Sequence, residues 1–143
     1  MIRVTEFFRR VPRHAVTVKS TDTVGFLARQ LQRHRVGVAV VSDTARSIDG
    51  VVSERDIAYT LADRRGELHL LPVSAIMSRS VVTCAPDDSL LHVMDLMSTH
   101  HIRHVPVKDA GALAGVVSMR DIFMFRLDEI ERKINFASLF ADQ

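Results

Sequence analysis

The strongest constraint on the fold of this chain is an internal repeat, because a duplicated segment folds into the same unit twice. Residues 50–57, Gly-Val-Val-Ser-Glu-Arg-Asp-Ile, return at residues 115–122 as Gly-Val-Val-Ser-Met-Arg-Asp-Ile, with seven of eight positions identical. Further upstream, two matching apolar sets lie 66 residues apart: Val24, Leu27, Ala28 and Leu31, and Leu90, Val93, Met94 and Met97. Both sets follow the i, i+3, i+4, i+7 spacing that is typical of one face of a helix. The chain is therefore predicted to contain two copies of one folding unit.

Each half is predicted to form a strand, a helix, two further strands and a second helix. Short apolar runs predict the strands, at residues 16–18, 38–41 and 48–52 of the first half and 81–83, 105–107 and 113–117 of the second. Serine, threonine and aspartate before each amphipathic segment are typical of helix starts, and the closing helices are predicted to begin at Ser53 and Ser118. Pro106 has no N–H to donate to a neighbouring strand. We therefore expect its strand either to lie at the edge of a sheet or to turn the backbone nitrogen of this position away from the hydrogen-bonded neighbour.

A half of this size buries too little apolar surface to be stable alone. We therefore predict a mixed α+β fold in which the two repeats pack as one module with pseudo-twofold symmetry. Repeat 1 is placed at residues 1–66, repeat 2 at residues 67–127 and a helical extension at residues 128–143.

The last helix is predicted to be longer than its counterpart in the first half and to carry an apolar stripe. The stripe consists of Phe123, Leu127, Ile130 and Ile134. Charged residues fill the opposite face, so the stripe needs a partner. We expect a contact in a homodimer, and the alternative is that the helix folds back over its own core.

Composition excludes several classes of protein. No apolar run approaches the roughly 20 residues that a membrane span needs, and the one cysteine, Cys84, cannot form an internal disulfide. We therefore expect a cytoplasmic protein. The net charge is +5 over residues 1–66 and −3 over residues 67–143. The basic half is able to attract anions such as phosphate, although its arginines are also consistent with an ordinary solvated surface.

The repeated Ser-x-Arg-Asp motif is the main candidate for ligand binding. Helix N-termini receive phosphate well because they carry unpaired N–H groups and a partial positive charge. A serine hydroxyl donates to phosphate, an arginine adds a charge-assisted bond, and an ionised aspartate accepts from two ribose hydroxyls. The candidates are Ser53, Arg55 and Asp56, and Ser118, Arg120 and Asp121. The same spacing also predicts a capping box that satisfies only the backbone, and the two interpretations are compatible.

The layout resembles a tandem pair of CBS domains, the repeats named for cystathionine β-synthase, over roughly residues 4–127. The resemblance rests on the Gly-Val-Val-Ser-x-Arg-Asp-Ile motif, on Val-Ser-x-Ile-Met at residues 73–77 and on His-Ile-Arg-His-Val-Pro-Val at residues 101–107. It implies that the serine and aspartate of each motif contact phosphate and ribose. It also implies an adenine ring in the cleft between the repeats, at positions matching Thr17, Val18, Val38, Thr83, Cys84, Arg103 and His104.

The resemblance implies a stand-alone, non-catalytic module that senses energy or redox state and needs no cofactor. Its expected ligand is an adenine nucleotide, AMP first, with ADP, ATP or NAD(H) as alternatives. Its expected partners are a second copy of the chain and an unknown regulated protein. The rival hypotheses are a scaffold with empty clefts, a nucleic-acid binder that uses the basic half and, as the least favoured, an enzyme.

Two departures from the family pattern bear on the site. The first repeat has Gly37-Val38 where the second has Arg103-His104, so the two sites are expected to differ in affinity. The other departure is Val40 in the first repeat, where the second has Pro106, so the base wall of the second site is closer to the family pattern. Separately, the spacing of His100, His101 and His104 suggests metal ligands. These residues straddle a helix end and a strand, so no metal site is predicted.

Overall fold

The first half has the predicted order of elements. The computed structural model describes residues 1–13, 15–64 and 66–141. After an opening helix, the first half consists of a strand, a helix, two strands and a helix: α1 (Val4–Arg10), β1 (Thr17–Val18), α2 (Val24–His34), β2 (Val38–Val41), β3 (Gly50–Ser53) and α3 (Glu54–Asp63). In the sheet of this half, β2 lies in the middle, parallel to β1 and antiparallel to β3.

The second half repeats this arrangement with one strand missing. Two short 3-10 helices, Leu68–Leu70 and Val73–Ala75, lead into it, and it contains α4 (Leu90–His100), β4 (His104–Asp109), β5 (Ala112–Ser118) and α5 (Met119–Ala141). Strands β4 and β5 pair antiparallel, with a register shift between Val107 and Lys108. The molecule is thus a mixed α+β fold of two repeats with a long final helix, as predicted.

The strand predicted at residues 81–83 does not form, and Pro106 supplies the reason. In the first half, the N–H of Val40 donates to the carbonyl of Val16 at 2.9 Å and fixes the opening strand on β2. Pro106 occupies the matching position and has no N–H to donate. Only an isolated parallel bridge remains, in which Cys84 pairs with Val107.

Helices α2 and α4 bury the predicted apolar faces. In α2 the side chains of Val24, Leu27 and Leu31 are buried, and in α4 those of Leu90, Val93 and Met97. Ala28 and Met94, the remaining member of each set, are exposed. Each helix starts at a capping side chain, because Thr23 accepts from the N–H of Phe26 and Ser89 accepts from that of His92.

The two halves exchange their opening segments. Val4 and Phe7 of α1 are fully buried in the hydrophobic cluster of the second half, where the ring of Phe7 packs edge-on against Phe125. In return, Val73 from the segment between the halves is buried in the cluster of the first half, and its N–H donates to the carbonyl of Asp22. Each hydrophobic cluster therefore contains chain from both sides of the repeat boundary, which joins the repeats into one module.

Helix α5 does not fold back over its own core. Its buried residues are Ile122 and Phe125, whereas the predicted stripe faces outward, with exposed fractions of 61% for Phe123 and 58% for Ile134. Within the described residues, no helix has both the length and the apolar character required to cross a membrane.

Candidate functional site

Two clefts lie between the repeats, and each receives one of the two motifs. The first cleft, of about 500 Å³, is lined by Ser53, Arg55 and Asp56, and the second cleft, of about 700 Å³, by Ser118, Arg120 and Asp121. Pockets that hold small molecules generally measure about 300–1,000 Å³. Both volumes are therefore suitable for a nucleotide.

The two clefts share one wall. The side chains common to both belong to Val38, Glu54, Arg103, His104 and Val116. Val38 and His104 are matching residues of the two repeats and begin β2 and β4. A ligand in either cleft therefore contacts residues that also face the other.

The remaining surface of the first cleft is largely apolar. Val40 and Val51 contribute from the first sheet, and Pro106 from β4. The segment that precedes Cys84 closes the other side with Val81 and Val82. This arrangement offers an apolar surface for a flat ring beside the polar start of α3.

The first motif forms a complete capping box. The N–H of Ser53 donates to Oδ2 of Asp56 at 2.8 Å, and the N–H of Asp56 donates to Oγ of Ser53 at 3.2 Å. The hydroxyl of Ser53 also lies 3.1 Å from the same Oδ2. The capping interpretation is confirmed here, yet all of these bonds to the carboxylate use Oδ2, so Oδ1 is available to a ligand.

The second motif is capped on one side only. The N–H of Asp121 donates to Oγ of Ser118 at 3.0 Å. Among residues 1–13, 15–64 and 66–141, no donor forms a hydrogen bond with the Asp121 carboxylate. Both of its oxygens are therefore free to accept hydroxyl groups of a bound sugar.

His104 is a half-buried imidazole on the shared wall. Burial, the larger cause, and the neighbouring Arg103 guanidinium lower its pKa from 6.5, and the carboxylates of Asp121 and Glu54 oppose this shift. The side chain is consequently neutral at neutral pH, able both to donate and to accept a hydrogen bond. An anion bound beside it would favour the protonated form.

Four residues expected at the adenine wall, Thr17, Val18, Thr83 and Cys84, line neither cleft. Val18 and Cys84 point into the two hydrophobic clusters instead, with exposed fractions of 3% and 5%. Burial, reinforced by the charge of Asp88, raises the pKa of the Cys84 thiol to about 12. The chain reaches the clefts slightly earlier than expected, through Val16 in the second cleft and Val82 in the first.

Sequence reasoning missed two charged residues of the clefts. Glu54 faces both clefts, and Arg35 faces the second. A signal for Glu54 was present, because it occupies the one motif position that differs between the repeats, where Met119 stands in the second. Arg35 carried no such signal, since it lies outside the motif at the end of α2.

The three closely spaced histidines separate in the fold. His101 and His104 line the first cleft, whereas His100 is an exposed residue at the end of α4. Among the described residues, no group of three or more His, Cys, Asp or Glu side chains is placed to hold a metal ion.

Comparison with known protein families identifies the repeats. The model of the CBS domain family matches residues 6–63 and again residues 73–128. The chain therefore belongs to the CBS domain family. Among curated relatives, it is 33% identical over 108 residues to the CBS domain-containing protein YhcV of Bacillus subtilis. It is 31% identical over 112 residues to an uncharacterized 17.7 kDa protein of Acidianus ambivalens. These matches span 74% of this chain and of YhcV, and 78% of this chain but 66% of the Acidianus protein.

Solved structures with similar sequences share the fold. The CBS-domain protein ATU1752 of Agrobacterium tumefaciens is 31% identical, with a TM-score of 0.81 over 87% of this chain and 92% of that one. PAE2072 of Pyrobaculum aerophilum, solved in complex with AMP, is 35% identical, with a TM-score of 0.75 over 84% and 89%. The CBS pair of MJ0100, solved with 5′-methylthioadenosine and S-adenosyl-L-methionine, is 26% identical, with a TM-score of 0.75 over 86% and 98%.

Proposed function

We propose that this protein is a non-catalytic regulatory module that binds an adenine nucleotide, with AMP as the leading candidate, in the clefts between its repeats. The observation that carries the proposal is the placement of both Ser-x-Arg-Asp helix starts at clefts of suitable size. An uncapped carboxylate oxygen at each start can accept ribose hydroxyls. The AMP bound to PAE2072 and the adenosine compounds bound to MJ0100 support this ligand class.

Binding is proposed to act by shifting the packing of the repeats. The two clefts lie on either side of one wall, so a ligand that contacts Arg103 and His104 stabilises one arrangement of β2 and β4 over others. The size of the shift equals the difference in affinity between the arrangements. A further protein would read the change, and we place this role in the cytoplasm, with ADP, ATP and NAD(H) as the alternative ligands.

The proposal predicts that AMP stabilises the folded protein. A ligand present at 100 times its dissociation constant adds about 2.7 kcal/mol to the free energy of unfolding. Thermal unfolding with millimolar AMP is therefore expected to show a Tm several degrees higher than without it. The same measurement with ADP should show a smaller increase for Asp121→Asn, because it weakens the acceptor in the second cleft, whereas Asp109→Asn, on the exposed end of β4, should leave the increase unchanged.

The rival function is a protein-interaction scaffold whose clefts stay empty. It gains some support from the first motif, where the capping box alone gives the serine and aspartate a structural role. An unchanged Tm with AMP, ADP, ATP, NAD(H) and S-adenosylmethionine would contradict nucleotide binding and favour the scaffold.

We further propose that a second copy of the chain covers the apolar stripe of α5. The stripe continues beyond Ile134 to two exposed alanines, Ala137 and Ala141. An antiparallel copy maps the stripe onto itself, because Ile130 then meets Ile134, Leu127 meets Ala137 and Phe123 meets Ala141. The same alignment brings Glu131 next to Lys133, so the flanking charges are complementary.

This proposal predicts a dimer that one substitution disrupts. Ile130→Asp places a charge in the centre of the stripe and is expected to give a monomer by light scattering, because an unpaired charge is costly to bury. Asn135→Asp introduces the same charge off the stripe and should leave the dimer intact. A wild-type monomer, or a dimer that survives Ile130→Asp, would contradict the assignment.

A further inference from the structure

The two clefts differ in their number of permanent positive charges. Arg35, Arg103 and Arg120 line the second cleft, whereas Arg55 and Arg103 line the first. Guanidinium is charged at all physiological pH values and binds phosphate through paired hydrogen bonds. The second cleft is therefore better equipped to hold several phosphate groups.

The difference comes from a single pair of matching positions. Arg35 ends α2 and His101 ends α4, and both adopt the left-handed conformation, with φ of 53° and 54°. Both residues are exposed. Arg35 lines the second cleft and His101 lines the first. Because the backbone is the same at both places, the clefts differ here in chemistry and not in position.

The carboxylates of the two clefts do not cancel this difference. Glu54 faces both clefts, so it does not distinguish them. Asp56 and Asp121 are also a matching pair, one in each cleft. With the carboxylates balanced and Arg103 shared, Arg35 leaves the second cleft with one permanent positive charge more than the first.

We propose that the second cleft selects adenosine ligands with two or three phosphates, through Arg35 and Arg120, and that the first cleft takes a ligand with one phosphate. This inference rests on the proposed function and deepens it, since it assigns a ligand class to each cleft. Each added phosphate brings charge and acceptor oxygens that need cationic donors. Arg35 is thus a specificity-determining residue.

A reciprocal exchange of the matching residues tests the assignment. Calorimetric titrations with AMP, ADP and ATP in magnesium-free buffer would be made on the wild type, Arg35→His and His101→Arg. Arg35→His is expected to weaken ADP and ATP binding about 10-fold, the scale of one charge-assisted contact, with a smaller effect on AMP. His101→Arg is expected to strengthen ADP and ATP binding at the weaker site.

The outcomes separate the two proposals. If the wild type binds nucleotides and Arg35→His leaves the ratio of ADP to AMP affinity unchanged, the assignment of the clefts is wrong and the proposed function stands. If the wild type binds none of the three, both proposals are overturned. Both residues are exposed, so neither exchange removes a buried contact, and unchanged Tm values would verify the fold of the variants.

Discussion

Replacing Phe7 with alanine is expected to lower the free energy of unfolding by about 3–5 kcal/mol, the usual cost of removing a buried aromatic side chain. Phe7 is fully buried, its ring centroid lies 5.5 Å from that of Phe125, and it packs among residues of the second half. Truncation would leave a cavity that the well-packed strands and helices around it cannot fill.

Urea denaturation of the wild type and of two variants would measure this loss. Phe26→Ala is the matched control, because Phe26 is 41% exposed in α2 and its truncation should cost far less. Hydrogen exchange adds a second readout: loss of protection should be greater in α4 and β5 than in α2, although Phe7 belongs to the opening segment of the chain. A loss below about 1 kcal/mol, the average for any point mutation, would contradict the packing described here.

The packing of α1 against the second half could not be predicted from the sequence. The sequence shows a resemblance between Val-Thr-Glu-Phe-Phe at residues 4–8 and Val-Ser-Ala-Ile-Met at residues 73–77. It gave no information on which half each segment joins, because hydrophobic patterns specify which faces are buried and not what buries them. Val4 with Phe7 and Val73 exchange halves through backbone bonds to Asp88 and Asp22, which lie more than 50 positions away in the sequence.

The candidate site could also be predicted only in part from the sequence. Ser53 and Ser118 were predictable as helix starts, because capping depends on residues three positions apart. The capping box in one motif and the free carboxylate in the other depend on side-chain positions that two nearly identical motifs do not reveal. The shared wall depends on how the repeats pack, and only that packing shows that Glu54 faces both clefts and Arg35 faces one.

Loss of Arg103 is expected to weaken ligand binding in both clefts at once. Arg103 lines both clefts, whereas Arg55 and Arg120 each line one. A hydrogen bond to a charged group is worth about 1.5–3 kcal/mol, or roughly 10- to 150-fold in affinity. Arg103→Ala should therefore raise the dissociation constants for AMP and ADP by at least about 10-fold at each site.

The fold should tolerate Arg103→Ala, which makes the prediction specific to binding. The Arg103 side chain is exposed, and the contact of this residue with the start of α5 is made by its carbonyl, which accepts from the N–H of Met119. Lys108→Ala is the matched control, because it removes one positive charge from the exposed part of β4 outside both clefts. Calorimetry should show near wild-type affinity for Lys108→Ala and two weakened sites for Arg103→Ala. A variant that loses only one site would show that the clefts do not share this residue.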